Sequence, residues 1–151
     1  MKNFMRIIIS LFLVLPVYSQ AEQPELGKYP QMFSGDDYKI TLLRVGKDET
    51  TVLIKVDGVD NAFDGQIYMH TKLCDNTACT SYKYETTEIP GKEKWWTIQS
   101  SRPWGDYDSM SFYPPGIDKK YSIGAGNRPD GFDSQKFYQE YLGQKALRKL
   151  K

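Results

Sequence analysis

The chain has 151 residues, of which 40% are hydrophobic and 14% aromatic, and its formal net charge is +1. This length fits one domain with a real hydrophobic core, and the balanced charge argues against nucleic-acid binding, which needs a basic surface to displace counterions. The longest apolar run, residues 7–17, is too short for a transmembrane helix of about 20 residues, so we do not expect the protein to span a membrane.

Residues 1–21 have the pattern of an export signal. Lys2 and Arg6 precede the apolar run, and Ser19 and Ala21 place small residues at both positions that a signal peptidase reads. We predict that this segment is cleaved and that the mature protein is periplasmic or secreted, where disulfides form. Loss of the two basic residues leaves 18 basic against 19 acidic residues, a formal net charge of −1.

The rest of the chain predicts a mainly β fold. The full sequence has 11 Tyr and 3 Trp, and the aliphatic residues after the signal occur in short bursts between polar turns. We expect a small antiparallel β-sandwich or barrel-like sheet built of hairpins with one C-terminal α-helix, which is α+β by a strict count. Residues 22–37 are predicted to be an extended N-terminal leader, and residues 38–151 a single domain.

The first predicted hairpin joins residues 39–45 to residues 51–56. Both arms are rich in β-branched and aliphatic residues, and a polar Gly-containing turn separates them. In the second arm, Val52, Ile54 and Val56 alternate with other residues, so their side chains are expected to point into the core.

The second predicted hairpin joins residues 66–74 to residues 79–87 and is closed by a disulfide between Cys74 and Cys79. An exported protein favours this disulfide over a redox pair or a metal site. If the two cysteines lie opposite each other, alternation assigns every side chain to a face. The core face then holds Ile67, Met69, Leu73, Tyr82 and Tyr84. The solvent face holds Tyr68, His70, Lys72, Lys83 and Glu85.

His70 is the chain's only histidine. A site with two histidine ligands is therefore excluded, and a Ser-His-Asp arrangement would depend on this residue alone. Because the predicted register puts His70 in a polar ladder on the solvent face, we expect a structural role for it and not a catalytic one.

Three short strands and a helix are predicted in the last third of the chain. The strands are residues 94–99, 110–113 and 121–123, and in the first of these Trp96 and Ile98 are expected on one face with Trp95 on the other. A helix is predicted at residues 134–150, because apolar residues recur at four-residue spacing after an N-cap at Asp133 or Ser134.

No cofactor and no metal ion are expected. The three aspartates that precede Gly65 are similar to a calcium-binding loop, but Ala62 stands where a ligand belongs and Thr71 where the closing glutamate belongs. Turn formation explains this segment better.

The candidate binding residues cluster in the loop at residues 100–109. Arg, Trp and Tyr dominate interface hot spots, and Pro and Gly restrict this loop. An equally good interpretation is that its aromatic residues cap the core. The predicted binding residues are Arg102, Trp104, Asp106, Tyr107 and, on the neighbouring strand, Trp95.

These patterns together favour an exported, non-catalytic protein that captures another protein. An inhibitor of a cell-wall hydrolase or an immunity protein against a periplasm-delivered toxin would have these properties. The alternatives are a carbohydrate or small-ligand binding module that uses Trp95, Trp104 and Tyr107 for stacking, a structural subunit of an envelope assembly, and, least favoured, a hydrolase that uses Asp106 and Asp108.

Overall fold

A computed structural model of the protein describes residues 23–35, 37–101 and 109–150, and the predicted export signal at residues 1–21 lies outside these ranges. The elements in the described ranges, in chain order, are β1 (Gln31–Ser34), β2 (Lys39–Val45), β3 (Thr51–Asp57), β4 (Ile67–Cys74), β5 (Ser81–Thr86), β6 (Trp95–Ser101), β7 (Ser109–Phe112), β8 (Tyr121–Ala125) and α1 (Ser134–Arg148).

The strands form a closed antiparallel barrel in which each strand pairs with its neighbours in sequence. The first and last strands complete the ring, because Phe33 of β1 pairs with Ala125 of β8. A closed barrel removes the exposed strand edges of an open sheet. The predicted fold class, a mainly β barrel-like sheet with one C-terminal helix, is confirmed.

The inward faces of the strands build the main core. Val52, Ile54 and Val56 point into the barrel, as the alternation in the sequence predicts. Tyr38, Phe112 and Tyr121 fill one end, where the Tyr38 ring centroid lies 5.1 Å from that of Phe112 and 4.8 Å from that of Tyr121, both edge-on. We call this filled end the base of the barrel.

The helix α1 packs on the outer face of the barrel and forms a second core. Asp133 is its N-cap and accepts a hydrogen bond from the backbone N–H of Lys136, which confirms the first of the two predicted caps. Phe137 and Tyr141 are its buried residues. The apolar partners of the helix are Leu43, Val45, Leu53 and Ile67.

The strand β1 lies inside the segment that was expected to be an extended leader. The sequence pattern does not predict this strand, because Gln31–Ser34 is short and does not alternate clearly. Before β1, the backbone N–H of Gly27 donates to the carbonyl of Arg44, and Leu26 forms a bridge with Val45. These contacts hold the segment against β2.

The register predicted for the β4–β5 hairpin is wrong. In the strand register, the residue opposite Cys74 is Tyr82 and not Cys79. The reason is that Cys79 lies in the turn with a left-handed φ of 54°, and the strand β5 begins only at Ser81. This shift is an odd number of residues, so it reverses the faces of β4 relative to those of β5, while Tyr82 and Tyr84 keep their predicted inward direction. Pointing into the barrel are Tyr68, His70, Lys72, Tyr82 and Tyr84. Pointing outward are Ile67, Met69, Leu73, Lys83 and Glu85.

The predicted faces of β6 also need a correction. A bulge opposite Tyr84 and Glu85 leaves Thr97 as an extra residue, so Ile98 points inward while Trp96 points outward and is 47% exposed. A bulge of this kind reverses the alternation on one side of the inserted residue.

One edge of β4 is completed by side chains in place of a strand. The strand β5 ends at Thr86, so the backbone of Ile67 and Met69 has no β5 partner. The N–H of Ile67 donates to Gln144 Oε1 at 2.7 Å, and its carbonyl accepts from Arg148 at 3.0 Å. The N–H of Met69 donates to Glu88 Oε2 at 2.9 Å. We call this side-chain closure the seam.

Glu88 connects the seam to the helix. Its Oε1 accepts a hydrogen bond from the hydroxyl of Tyr141 at 2.7 Å and pairs with the ammonium of Lys145 at 2.6 Å. Burial alone would raise the pKa of Glu88, but the hydrogen bonds from Lys145, the Met69 N–H and Tyr141 outweigh it and hold this pKa below its ordinary value. The carboxylate is therefore ionised at neutral pH.

We expect Glu88→Ala to destabilise the protein by about 2–4 kcal/mol, because it leaves one buried backbone N–H and two cations without their acceptor. Glu140→Ala is the matched control, since Glu140 also joins helix to barrel through Lys55 but is more exposed. It should cost no more than about 1 kcal/mol. Urea unfolding measures both, and equal losses would contradict the role of the seam.

Candidate functional site

The end of the barrel opposite the base holds two recesses, and we call it the mouth. The β2–β3 turn and the β4–β5 turn lie there, as do the end of β6 at Ser101 and the start of β7 at Ser109. The start of β1 and the end of β8 lie at the same end, since Gln31 pairs with Leu42. An eight-stranded barrel is just wide enough to be filled by side chains or to hold one small ligand.

Two adjoining recesses occupy the mouth, with volumes of about 380 and 370 Å³. They share the side chains of Gln31, Lys72 and Tyr84. Both recesses therefore reach the inward faces of β4 and β5. A volume of this size accommodates a protein side chain or a small molecule.

Tyr29 stands on the rim of the first recess and is 57% exposed. The ammonium of Lys28 lies 5.1 Å from the centre of its ring, and the guanidinium of Arg128 lies 4.7 Å from it. An exposed tyrosine between two cations is a residue combination that favours protein interfaces.

The disulfide between Cys74 and Cys79 is present, as predicted, and its two Cα atoms are 4.9 Å apart. The turn that it closes is also held by its backbone: the N–H of Asp75 donates to the carbonyl of Ser81, and that of Cys79 donates to the carbonyl of Asn76. This turn borders the mouth, so the disulfide stiffens one part of the rim.

Four of the predicted binding residues, Arg102, Trp104, Asp106 and Tyr107, lie outside the described residues, as does Asp108 of the hydrolase alternative. The strand β6 places the fifth at the opposite end from the mouth. Trp95 begins this strand near the base, where its indole N–H donates to the carbonyl of Tyr113 at 3.1 Å, whereas Ser101 ends the strand at the mouth.

The residues of the mouth do not follow from the sequence, because the predicted register places Lys72 on a solvent face, whereas the core position predicted for Tyr84 is correct. The one signal in the sequence is the alternation of Tyr68, His70 and Lys72 on one face of β4. It indicates an inward Lys72 only when the observed register, with Lys72 opposite Tyr84, is known. Tyr29 lies in the expected leader, where no periodic pattern marks it.

His70 is sealed inside the barrel and is 2% exposed, so its predicted place on a solvent face is wrong. Its Nδ1–H donates to the carbonyl of Tyr68 at 2.9 Å, and its Nε2 accepts from the hydroxyl of Thr97 at 2.7 Å, which defines a neutral tautomer. Burial lowers the pKa of His70 to about 4. The empty space beside it is about 10 Å³, too little for a substrate. Both ring nitrogens of His70 are therefore engaged inside the barrel.

The aspartate-rich connection between β3 and β4 folds as a turn. The carboxylate of Asp64 accepts from the N–H groups of Gly58 and Val59, and Asn61 accepts from the N–H of Phe63. Across the described ranges, no group of three or more His, Cys, Asp or Glu side chains is placed to hold a metal ion.

The helices within the described residues include none of the length and apolar character needed to cross a membrane. Comparisons of the chain with protein-family models, with curated proteins and with solved structures found no match.

Because His70 is buried, we expect the free energy of unfolding to decrease as the pH is lowered. The folded pKa is about 4 against 6.5 for a free histidine, so below pH 6.5 the unfolded chain takes up a proton that the folded chain refuses. Between pH 7 and pH 5 this removes about 2 kcal/mol of unfolding free energy. Urea titrations at the two pH values measure the loss.

His70→Gln is the control variant, because an amide retains a donor and an acceptor but does not titrate. It should be less stable than the wild type at pH 7 and change by less than about 0.5 kcal/mol down to pH 5. An equal pH dependence in both proteins would contradict the assignment, since the chain has no other histidine.

Proposed function

We propose that this is an exported, non-catalytic binding protein that captures another protein with the mouth of its barrel. The observation that carries the proposal is the rim at Tyr29, where an exposed aromatic ring lies between two cations beside a recess. Aromatic and arginine side chains at the centre of an interface contribute most of its binding energy. A cell-wall hydrolase or a toxin delivered to the periplasm is the expected partner.

Two further observations agree with this proposal. The disulfide at the rim suits an oxidising compartment, which the export signal also predicts. The single histidine uses both ring nitrogens within the barrel core, so it has no free nitrogen to serve as a general base at the surface.

A small ligand is the second candidate, and the volume of the mouth favours it. A recess of about 380 Å³ lies within the range of small-molecule sites. Calorimetric titration with peptidoglycan fragments and oligosaccharides separates the two candidates. Absence of heat across millimolar ligand would remove the small-ligand candidate, whereas saturable binding without a protein partner would overturn the first.

Capture by the mouth predicts that Tyr29→Ala weakens the partner's affinity at least about tenfold, because an exposed hot-spot ring is lost. Affinity purification from an envelope extract identifies the partner, and surface plasmon resonance with that purified partner gives the dissociation constant. The unfolding free energy should change by less than about 0.5 kcal/mol, as is usual for an exposed position.

Trp96→Ala is the matched control for this experiment. Trp96 is also a well-exposed aromatic residue, but it lies on the outer wall, next to Tyr113 and Lys83. It should leave the affinity unchanged. If Trp96→Ala weakens capture and Tyr29→Ala does not, the binding surface is the outer wall and the proposal for the mouth is wrong.

Export predicts that the product recovered from the periplasm or medium lacks residues 1–21. Intact-mass measurement of the secreted protein should give a chain that begins at Glu22, with the two cysteines oxidised. Leu13→Arg breaks the apolar run and should hold the full-length chain inside the cell. Recovery of an uncleaved, reduced wild-type chain from the cytosol alone would contradict export.

A further inference from the structure

Positive charge predominates among the described residues that line the two recesses of the mouth. The two recesses are lined by four cations and one carboxylate, namely Lys28, Arg44, Lys72, Arg128 and Glu49. The chain as a whole is almost neutral, with 20 basic and 19 acidic residues. Glu49 neutralises only Arg44, through a pair at 2.8 Å. The other three cations make no ion pair with any residue that the structure describes.

Lys72 differs from the other cations because it lies on the inward face of β4. It is half-buried, it lines both recesses, and its ammonium rests 4.2 Å from the centre of the Tyr82 ring. A cation–π contact offsets only part of the free energy that an ammonium loses when it leaves water. An anion bound beside Lys72 would supply the remainder.

Tyr84 provides a second donor at the same place. It is the cross-strand partner of Lys72, its side chain is 7% exposed, and it lines both recesses. Its hydroxyl makes no hydrogen bond to the residues within the described ranges, and every fully buried side-chain polar atom there has a partner. Since Tyr84 lines both recesses, its hydroxyl can donate to an oxygen bound there.

The charge of Lys72 and Tyr84, which line both recesses, determines which kind of anion fits beside them. One ammonium and one neutral phenol match a single negative charge, and a phosphate of charge near −2 would need a second free cation. Arg44 does not supply it, because Glu49 already accepts from it. Lys28 and Arg128 do not supply it either, because each lines only one recess and rests against the Tyr29 ring on the rim. A carboxylate has one charge and two oxygens, one for each donor.

We propose that Lys72 and Tyr84 form an anion subsite that receives the carboxylate of an aspartate or glutamate side chain of the captured protein. This inference rests on the proposed function and adds the chemistry of the contact to it. The acidic side chain enters between the hairpin turns, its carboxylate meets the ammonium and the hydroxyl, and the partner's surface around it covers Tyr29 on the rim.

The subsite is tested with defined probes in an NMR titration of the mature, disulfide-bonded protein. The probes are a capped peptide of six glutamates, the matched peptide of six glutamines, citrate and inorganic phosphate. The glutamate peptide, at millimolar concentration, should shift the backbone amide signals of Lys72, Tyr84 and Gln31. Added salt should weaken the binding of this peptide. The glutamine peptide should leave these signals in place.

The Lys72→Gln substitution should lower the affinity for the glutamate peptide at least about tenfold, and Tyr84→Phe should lower it about threefold. Lys136→Gln is the matched control, because it removes the same charge from an exposed position on α1 and should change nothing. Unshifted spectra of the variants outside the mouth verify that they fold. Equal affinities for Lys72→Gln and Lys136→Gln would overturn the subsite.

The remaining outcomes separate the subsite from the proposed function. Tighter binding of citrate or phosphate than of the glutamate peptide would overturn the assignment to a protein side chain in favour of a free anion. A captured partner whose affinity is lowered by Tyr29→Ala but not by Lys72→Gln would overturn the subsite and leave the proposed function standing. Saturable binding of the glutamate peptide at the mouth, with no partner recovered from the envelope extract, would overturn the proposed function instead.

Discussion

The seam along β4 is the constraint on which the rest of the structure depends. A barrel is stable only if every strand edge is paired, and β5 is too short to pair the first half of β4. Gln144, Arg148 and Glu88 take the place of the missing strand. The helix is therefore part of the barrel wall and not an appendage, and this explains why polar side chains in its last turns point at the sheet.

This closure gives β4 two buried faces. Its outward residues near the start of the strand pack under α1, and its inward residues fill the barrel, so Ile67 and His70 are both almost inaccessible to solvent. A histidine can occupy this position because Tyr68 and Thr97 satisfy both of its ring nitrogens. Further along the same strand the core opens, and the next inward residue, Lys72, lies in the mouth. One strand thus passes from the filled interior to the candidate site.

Sequence periodicity predicted the elements well where one local pattern decides them. The alternation of Val52, Ile54 and Val56, the helix and its cap at Asp133, and the disulfide all follow from residues close in the chain. The register of β4 and β5 did not follow, because the left-handed residue Cys79 adds to the turn without leaving a compositional signal. The seam and the mouth bring together residues from opposite ends of the chain, and a single sequence carries no pattern for such pairs.

The seam depends on contacts between residues that are far apart in the sequence. The contacts that close it join residues 77 and 81 positions apart, and contacts that close such long loops form slowly. Until Gln144 and Arg148 arrive, the N–H of Ile67 faces outward and can pair with a strand of another chain. The C-terminal helix therefore covers a strand edge that would otherwise be open to pairing with another chain, and a truncation that removes Gln144 and Arg148 would expose this edge.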